Sequence, residues 1–157
     1  MSIVLDFQQA YDTNDSIQRD IPSEQDFTTW ANAVMAHQGL VDKEMTIRIV
    51  DEQESHDLNY EYRGKDKSTN VLSFPFECPP EVPIPLLGDL VICAPVIARE
   101  AKEQHKTIHD HYAHMVIHGT LHLLGFDHID DGEAEAMEAI EIHILNQLDI
   151  DDPYQEI

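Results

Sequence analysis

Cysteine is scarce in this chain. Cys78 and Cys93 are the whole complement, and neither sits in a CxxC spacing. That argues against a disulfide framework or a thiolate zinc knuckle and suits a reducing cytosol. Positive charge is scarce too: nine Lys and Arg stand against 31 Asp and Glu, a net charge of -22. Such a surface repels bare nucleic acid at long range. A nucleic-acid function therefore needs a local basic patch, a bound cation or a partner protein. No apolar run approaches a membrane span. The first residues, MSIVLDFQQAYD, have neither the basic nor the apolar region of a signal peptide. The expectation is a cytoplasmic protein with no membrane partner. Repeats, low-complexity tracts and linkers are absent as well. With 157 residues, 42% of them hydrophobic, the chain is expected to form one domain, 1–157, with a sizeable core.

The patterning predicts four short strands and about five helices. Ile3, Leu5 and Phe7 alternate as a first strand, and residues 12–22 read as a loop. Ser23 begins a helix, with Asp26 three residues on as a capping-box partner, and Gly39 ends it. Phe27, Trp30, Ala31, Val34 and Met35 form its core face. Residues 46–50 and 71–76 read as strands, with a polar stretch that carries a short helix, then the turn-rich RGKDKSTN, between them. Residues 77–85 form a proline-rich loop before a strand over 87–93. Helices follow over about 95–106, from Thr107 into the segment that ends near Leu124, and over 131–148. Strands early and helices late predict an α+β fold, a small mixed four-stranded sheet covered by helices. The helix through Met115, Ile117 and Leu121 is expected at its centre.

That helix carries the most informative stretch, HGTLHLLGFDH, which places His118, His122 and His128 around Gly125. Histidines four apart share one helix face. Gly125 can take a left-handed conformation and end the helix, so the chain can return and bring His128 to the same point. Three imidazoles with an open fourth position have the layout of a catalytic zinc site, with one zinc ion per chain. Such an ion lowers the pKa of a bound water toward ~7 and polarises a carbonyl or phosphoryl oxygen, so hydrolysis is the natural reaction class. Zinc peptidases of the HExxHxxGxxH pattern carry a glutamate base after the first histidine; here that residue is Gly119.

HGTLHLLGFDH, with NYEYRGKDKSTNVLSFPFE and LLGDLVIC in the same order, resembles the YbeY family of endoribonucleases, or rRNA maturation factors, over most of the chain. Two positions depart from the family pattern: Ser68, where proline is usual, and Phe126, where tyrosine is common. The resemblance implies an α+β fold with one zinc on His118, His122 and His128. It implies cleavage of single-stranded RNA in maturation of the 16S rRNA 3′ end and in ribosome quality control. It also implies work with the small ribosomal subunit, one of its proteins and the Era GTPase. The arginine of the family's Y-R-G motif is functionally important and maps to Arg63.

The residues themselves agree in part. Arg63 offers a planar fork that suits a phosphate, and Lys65 and Lys67 stand beside it. The two lysines fit a solvated turn equally well, as do Ser68 and Thr69. Asp127 is expected to cap the turn after Gly125, with support of a histidine N–H or proton shuttling as the alternatives. His114, one turn before His118, is expected to pack or to support the site, while His105, His109 and His111 are expected at the surface. Two other readings stand beside the ribonuclease: a zinc peptidase or esterase, and a non-catalytic ribosome assembly factor with a structural metal. No Lys or Arg follows Lys106, and that acidic third is expected to face solvent or a basic protein.

Overall fold

A computed structural model describes residues 3–76, 85–127 and 129–154. Its four strands are β1 (Val4–Gln9), β2 (Glu44–Val50), β3 (Val71–Pro75) and β4 (Leu86–Cys93), in the order β1-β2-β4-β3. β1, β2 and β4 run parallel, and β3 pairs antiparallel with β4. The sheet is therefore mixed, with β1 and β3 at its edges. Among the described residues there are six helices: α1 (Ser16–Arg19), α2 (Glu24–Gln38), α3 (Glu52–Arg63), α4 (Ala94–Glu103), α5 (Ile108–Leu123) and α6 (Asp131–Gln147). None is long and apolar enough to cross a membrane.

The expected α+β architecture is the one observed, with one helix more. α1 lies inside the stretch expected to be a loop. It is four residues long, buries no side chain, and is held by Asp15 accepting from the Gln18 N–H at 3.0 Å. α2 starts as its sequence dictates. Ser23 Oγ accepts from the Asp26 N–H at 3.1 Å, Asp26 accepts from the Ser23 N–H at 3.2 Å, and Gly39 closes the helix in the left-handed region.

Strand alternation divides the interior between two faces. Met45, Ile47, Ile49, Leu90 and Ile92 point to one face, where they meet Phe27, Trp30 and Val34 of α2 and Val116, Ile117 and Leu121 of α5. Phe27 is fully buried, edge-on to Trp30 and Tyr112 with centroids 5.4 and 5.8 Å away. Each such side chain contributes about 1.5–3 kcal/mol by leaving water. Val50, Leu72, Val91 and Cys93 point to the opposite face, where Leu58 of α3 and Val96 of α4 cover them. α5 touches α2, α4, α6, β3 and β4, so the histidine helix is central as expected. Arg63, at the end of α3, thus lies on the other side of the sheet from α5.

Candidate functional site

α5 begins where Thr107 Oγ1 accepts from the Asp110 N–H at 3.0 Å. It ends at Leu123, with Leu124 as cap and Gly125 at φ 101°. That positive φ folds the chain back, so the Phe126 N–H reaches the Leu121 carbonyl at 3.0 Å. The same turn puts the Phe126 carbonyl 2.9 Å from His122 Nδ1. A carbonyl only accepts, so Nδ1 carries the proton and the lone pair of a neutral ring sits on Nε2.

His118 is fixed in the same sense by a different partner. Its Nδ1 lies 3.0 Å from Glu141 Oε1 of α6, and a carboxylate again forces Nδ1 to donate. The two Nε2 atoms then face each other 3.1 Å apart. Two nitrogens at about 2.0–2.1 Å from one tetrahedral zinc stand about 3.3 Å apart, so this pair fits two ligands of a single ion. The third expected ligand, His128, lies outside the described residues. Among the described residues no three His, Cys, Asp or Glu side chains form a metal-binding group.

Glu141 organises the surroundings. It is completely buried, and the same Oε1 lies 2.9 Å from His114 Nε2. The Tyr154 hydroxyl donates to the carboxylate, 3.1 Å from either oxygen. Burial works to raise the Glu141 carboxyl pKa, but the hydrogen bonds from His114 and His118 outweigh it and hold the pKa at about 2. Burial lowers the pKa of His114 against the pull of Glu141. Burial and then the Glu141 charge raise that of the Tyr154 phenol, which stays a donor. A cavity of about 210 Å³ opens beside His118, lined also by Met137, Glu138, Glu141 and Tyr154. A larger one of about 740 Å³ lies beyond His114, around Lys106, Asp110 and Asp152.

His114 takes the supporting place expected of it, buried between Glu141 and Tyr154. His105 and His109 are exposed, as expected. His111 is not: it is 1% exposed, with Nε2 2.9 Å from Glu100 Oε1. Its polar neighbours in the chain suggest a surface position. The acidic partner on α4 overrides them, because it lets an imidazole enter the core. Asp127 is exposed. Arg63, Lys65 and Lys67 are exposed at the C-terminal end of α3 and in the following loop. Glu141 and Tyr154 were not expected. A signal for Glu141 exists, since a charged residue sits on the apolar face of α6, four after Met137 and three before Ile144.

Gly119 explains why the peptidase pattern has no counterpart here. A Cβ on it would stand 2.8 Å from Leu90 Cδ2 and 3.3 Å from Ser73 Oγ. α5 crosses the sheet at this residue, and no carboxylate base fits there.

A model of the family described as endoribonuclease YbeY matches residues 10–149. The endoribonuclease YbeY of Alteromonas mediterranea is 62% identical over 154 residues, 98% of each chain. The solution structure of TM1509 from Thermotoga maritima shares the fold, with a TM-score of 0.56 over 98% of this chain and 99% of that one, at 21% identity.

Proposed function

Because this chain belongs to the YbeY family of endoribonucleases, we propose that it hydrolyses phosphodiester bonds in single-stranded RNA, using one zinc ion held by His118, His122 and His128. The observation that carries this reading is the His118–His122 pair, with each Nδ1 engaged and the Nε2 atoms 3.1 Å apart. When bound, zinc supplies Lewis acidity for attack of water on phosphorus. The chain's own residues do the rest. Glu141 and the Phe126 carbonyl orient the two rings and keep their Nε2 lone pairs available. Arg63 binds a phosphate of the substrate strand through its two-pronged guanidinium and stabilises its charge.

The substrate in this reading is the 3′ end of 16S rRNA, met on the small ribosomal subunit. A net charge of -22 opposes approach to RNA, so recruitment falls to protein partners: one protein of that subunit and the Era GTPase. The site of action is the cytoplasm.

The test is cleavage of a labelled single-stranded RNA spanning a 16S rRNA 3′ end, alone and within small subunits, by wild type, His122→Ala and Arg63→Ala purified identically. Cleavage by wild type, lost in His122→Ala and sharply reduced in Arg63→Ala, is expected. Equal cleavage by all three preparations, or none by wild type on either substrate, overturns the reading.

A further inference from the structure

The chain doubles back after α6. Leu148 caps the helix, and Asp149 takes a left-handed conformation with φ 61°, which its short polar side chain tolerates better than most. The Asp149 N–H bonds to the Asn146 carbonyl at 3.1 Å, and the Ile150 N–H to the Leu145 carbonyl at 2.9 Å. These are the two bonds of a Schellman turn, and Ile150 packs against the core that contains Leu145. The segment that follows returns to α6. Its Tyr154 meets Glu141, 13 positions earlier in the chain.

The meeting is specific to one group of Tyr154. The residue is 41% exposed, yet its hydroxyl reaches a carboxylate that is fully buried. Its ring stands edge-on to His114 with centroids 5.3 Å apart. The hydroxyl donates to Glu141 and accepts from His114 Nε2 at 3.1 Å. The two oxygens of Glu141 have different partners. Oε1 accepts from His114 and His118 at 2.9 and 3.0 Å. Oε2 has the Tyr154 hydroxyl, at 3.1 Å, as its sole partner among the described residues. A buried charged oxygen left without a donor is unfavourable. With the hydroxyl gone, no described residue holds Oε2, and rotation of the carboxylate carries Oε1 away from His118.

We propose that Tyr154 is a positioning residue for the metal centre: its hydroxyl pins the Glu141 carboxylate and, through it, the His118 ring, so that docking of the C-terminal segment and binding of the ion reinforce each other. This rests on the zinc part of the reading above and not on its RNA substrate. The phenol suits the task because it is a third donor to Glu141 that adds no charge. The reinforcement is reciprocal. Whatever factor the docked hydroxyl adds to zinc affinity, bound zinc adds to docking. An ion on His118 Nε2 draws electron density from the ring and strengthens the Nδ1–H bond to Glu141.

The test is zinc affinity, by competition with a chromogenic chelator, in full-length wild type, Tyr154→Phe, Tyr154→Ala and His122→Ala. Tyr154→Phe keeps the ring against His114 and removes only the hydroxyl. Both Tyr154 variants are expected to bind zinc about 5- to 100-fold more weakly than wild type. A second readout is exchange of the His118 Nδ1 proton with water, followed by NMR of the labelled, zinc-loaded chain. It is expected to quicken in Tyr154→Phe, a change that a residue serving only to hold the fold together would not produce. Wild-type affinity in Tyr154→Phe with weakened affinity in Tyr154→Ala assigns the effect to ring packing and overturns the proposal. Wild-type affinity in both variants overturns it too, with the zinc reading intact. Weakened affinity beside unchanged proton exchange shows a route other than His118 and also overturns it. If wild type binds zinc no better than His122→Ala does, the zinc reading falls and the proposal falls with it.

Discussion

His118 and Glu141 are 23 positions apart in the chain and 3.0 Å apart in the fold. The contact joins α5 to α6 and decides which ring nitrogen of His118 faces His122. Supporting carboxylates of this kind raise ligand basicity and fix ring orientation.

Glu141→Gln is therefore expected to lower zinc affinity about 10- to 100-fold, measured by competition with a chromogenic chelator. Glu141→Ala should in addition destabilise the fold by about 1–3 kcal/mol for each buried donor it leaves unsatisfied, seen as a lower urea midpoint. Unchanged zinc affinity in Glu141→Gln would show that the orientation of His118 is set by something other than this carboxylate.

Gly119→Ala tests how closely α5 lies on the sheet. The added methyl meets Leu90 at 2.8 Å, and Leu90 is fully buried. Overpacking of this kind costs about 1–3 kcal/mol, a drop of about 2–12 °C in melting temperature for a chain of this size. A melting temperature equal to that of wild type would mean that helix and strand separate without cost.

Acid should act in part through Glu100. Burial raises its carboxyl pKa, but hydrogen bonds from His111 and Asn70 outweigh that and leave it below the ordinary 4.5. The native state thus binds fewer protons than the unfolded chain as pH falls past 4.5. The stability that Glu100 contributes is present above that pH and is lost below it. The difference in unfolding free energy between wild type and Glu100→Gln should be full at pH 7 and shrink below about pH 4.5. A difference that stays constant from about pH 7 to pH 3 would assign the effect to packing instead of charge.

Much of the fold was legible because local rules and long-range packing agree. Ser23, Asp26 and Gly39 bound α2 as their cap chemistry requires, and Thr107 marks the start of α5. The strands show as short apolar, β-branched runs bounded by turn residues. α1 did not show, since it has no apolar face to read. The His118–His122 pair was legible from spacing alone, as both residues lie on one helix. His111 and Glu141 were harder. Each is a polar side chain buried against a polar partner on another element, Glu100 and His114 respectively. Nothing in the local sequence reports such a partner. The face of the sheet that α3 covers was hidden for the same reason, because it depends on contacts between distant elements.

Ser55 and Asn59 have a consequence for binding energetics. Most surface loops lose conformational entropy when a ligand orders them, and that loss weakens the complex. Here the backbone from Lys67 to Thr69 is already bonded to two buried side chains of α3. The entropy of ordering it is absorbed when the chain folds. A strand arriving at Arg63 would find that stretch of backbone already ordered.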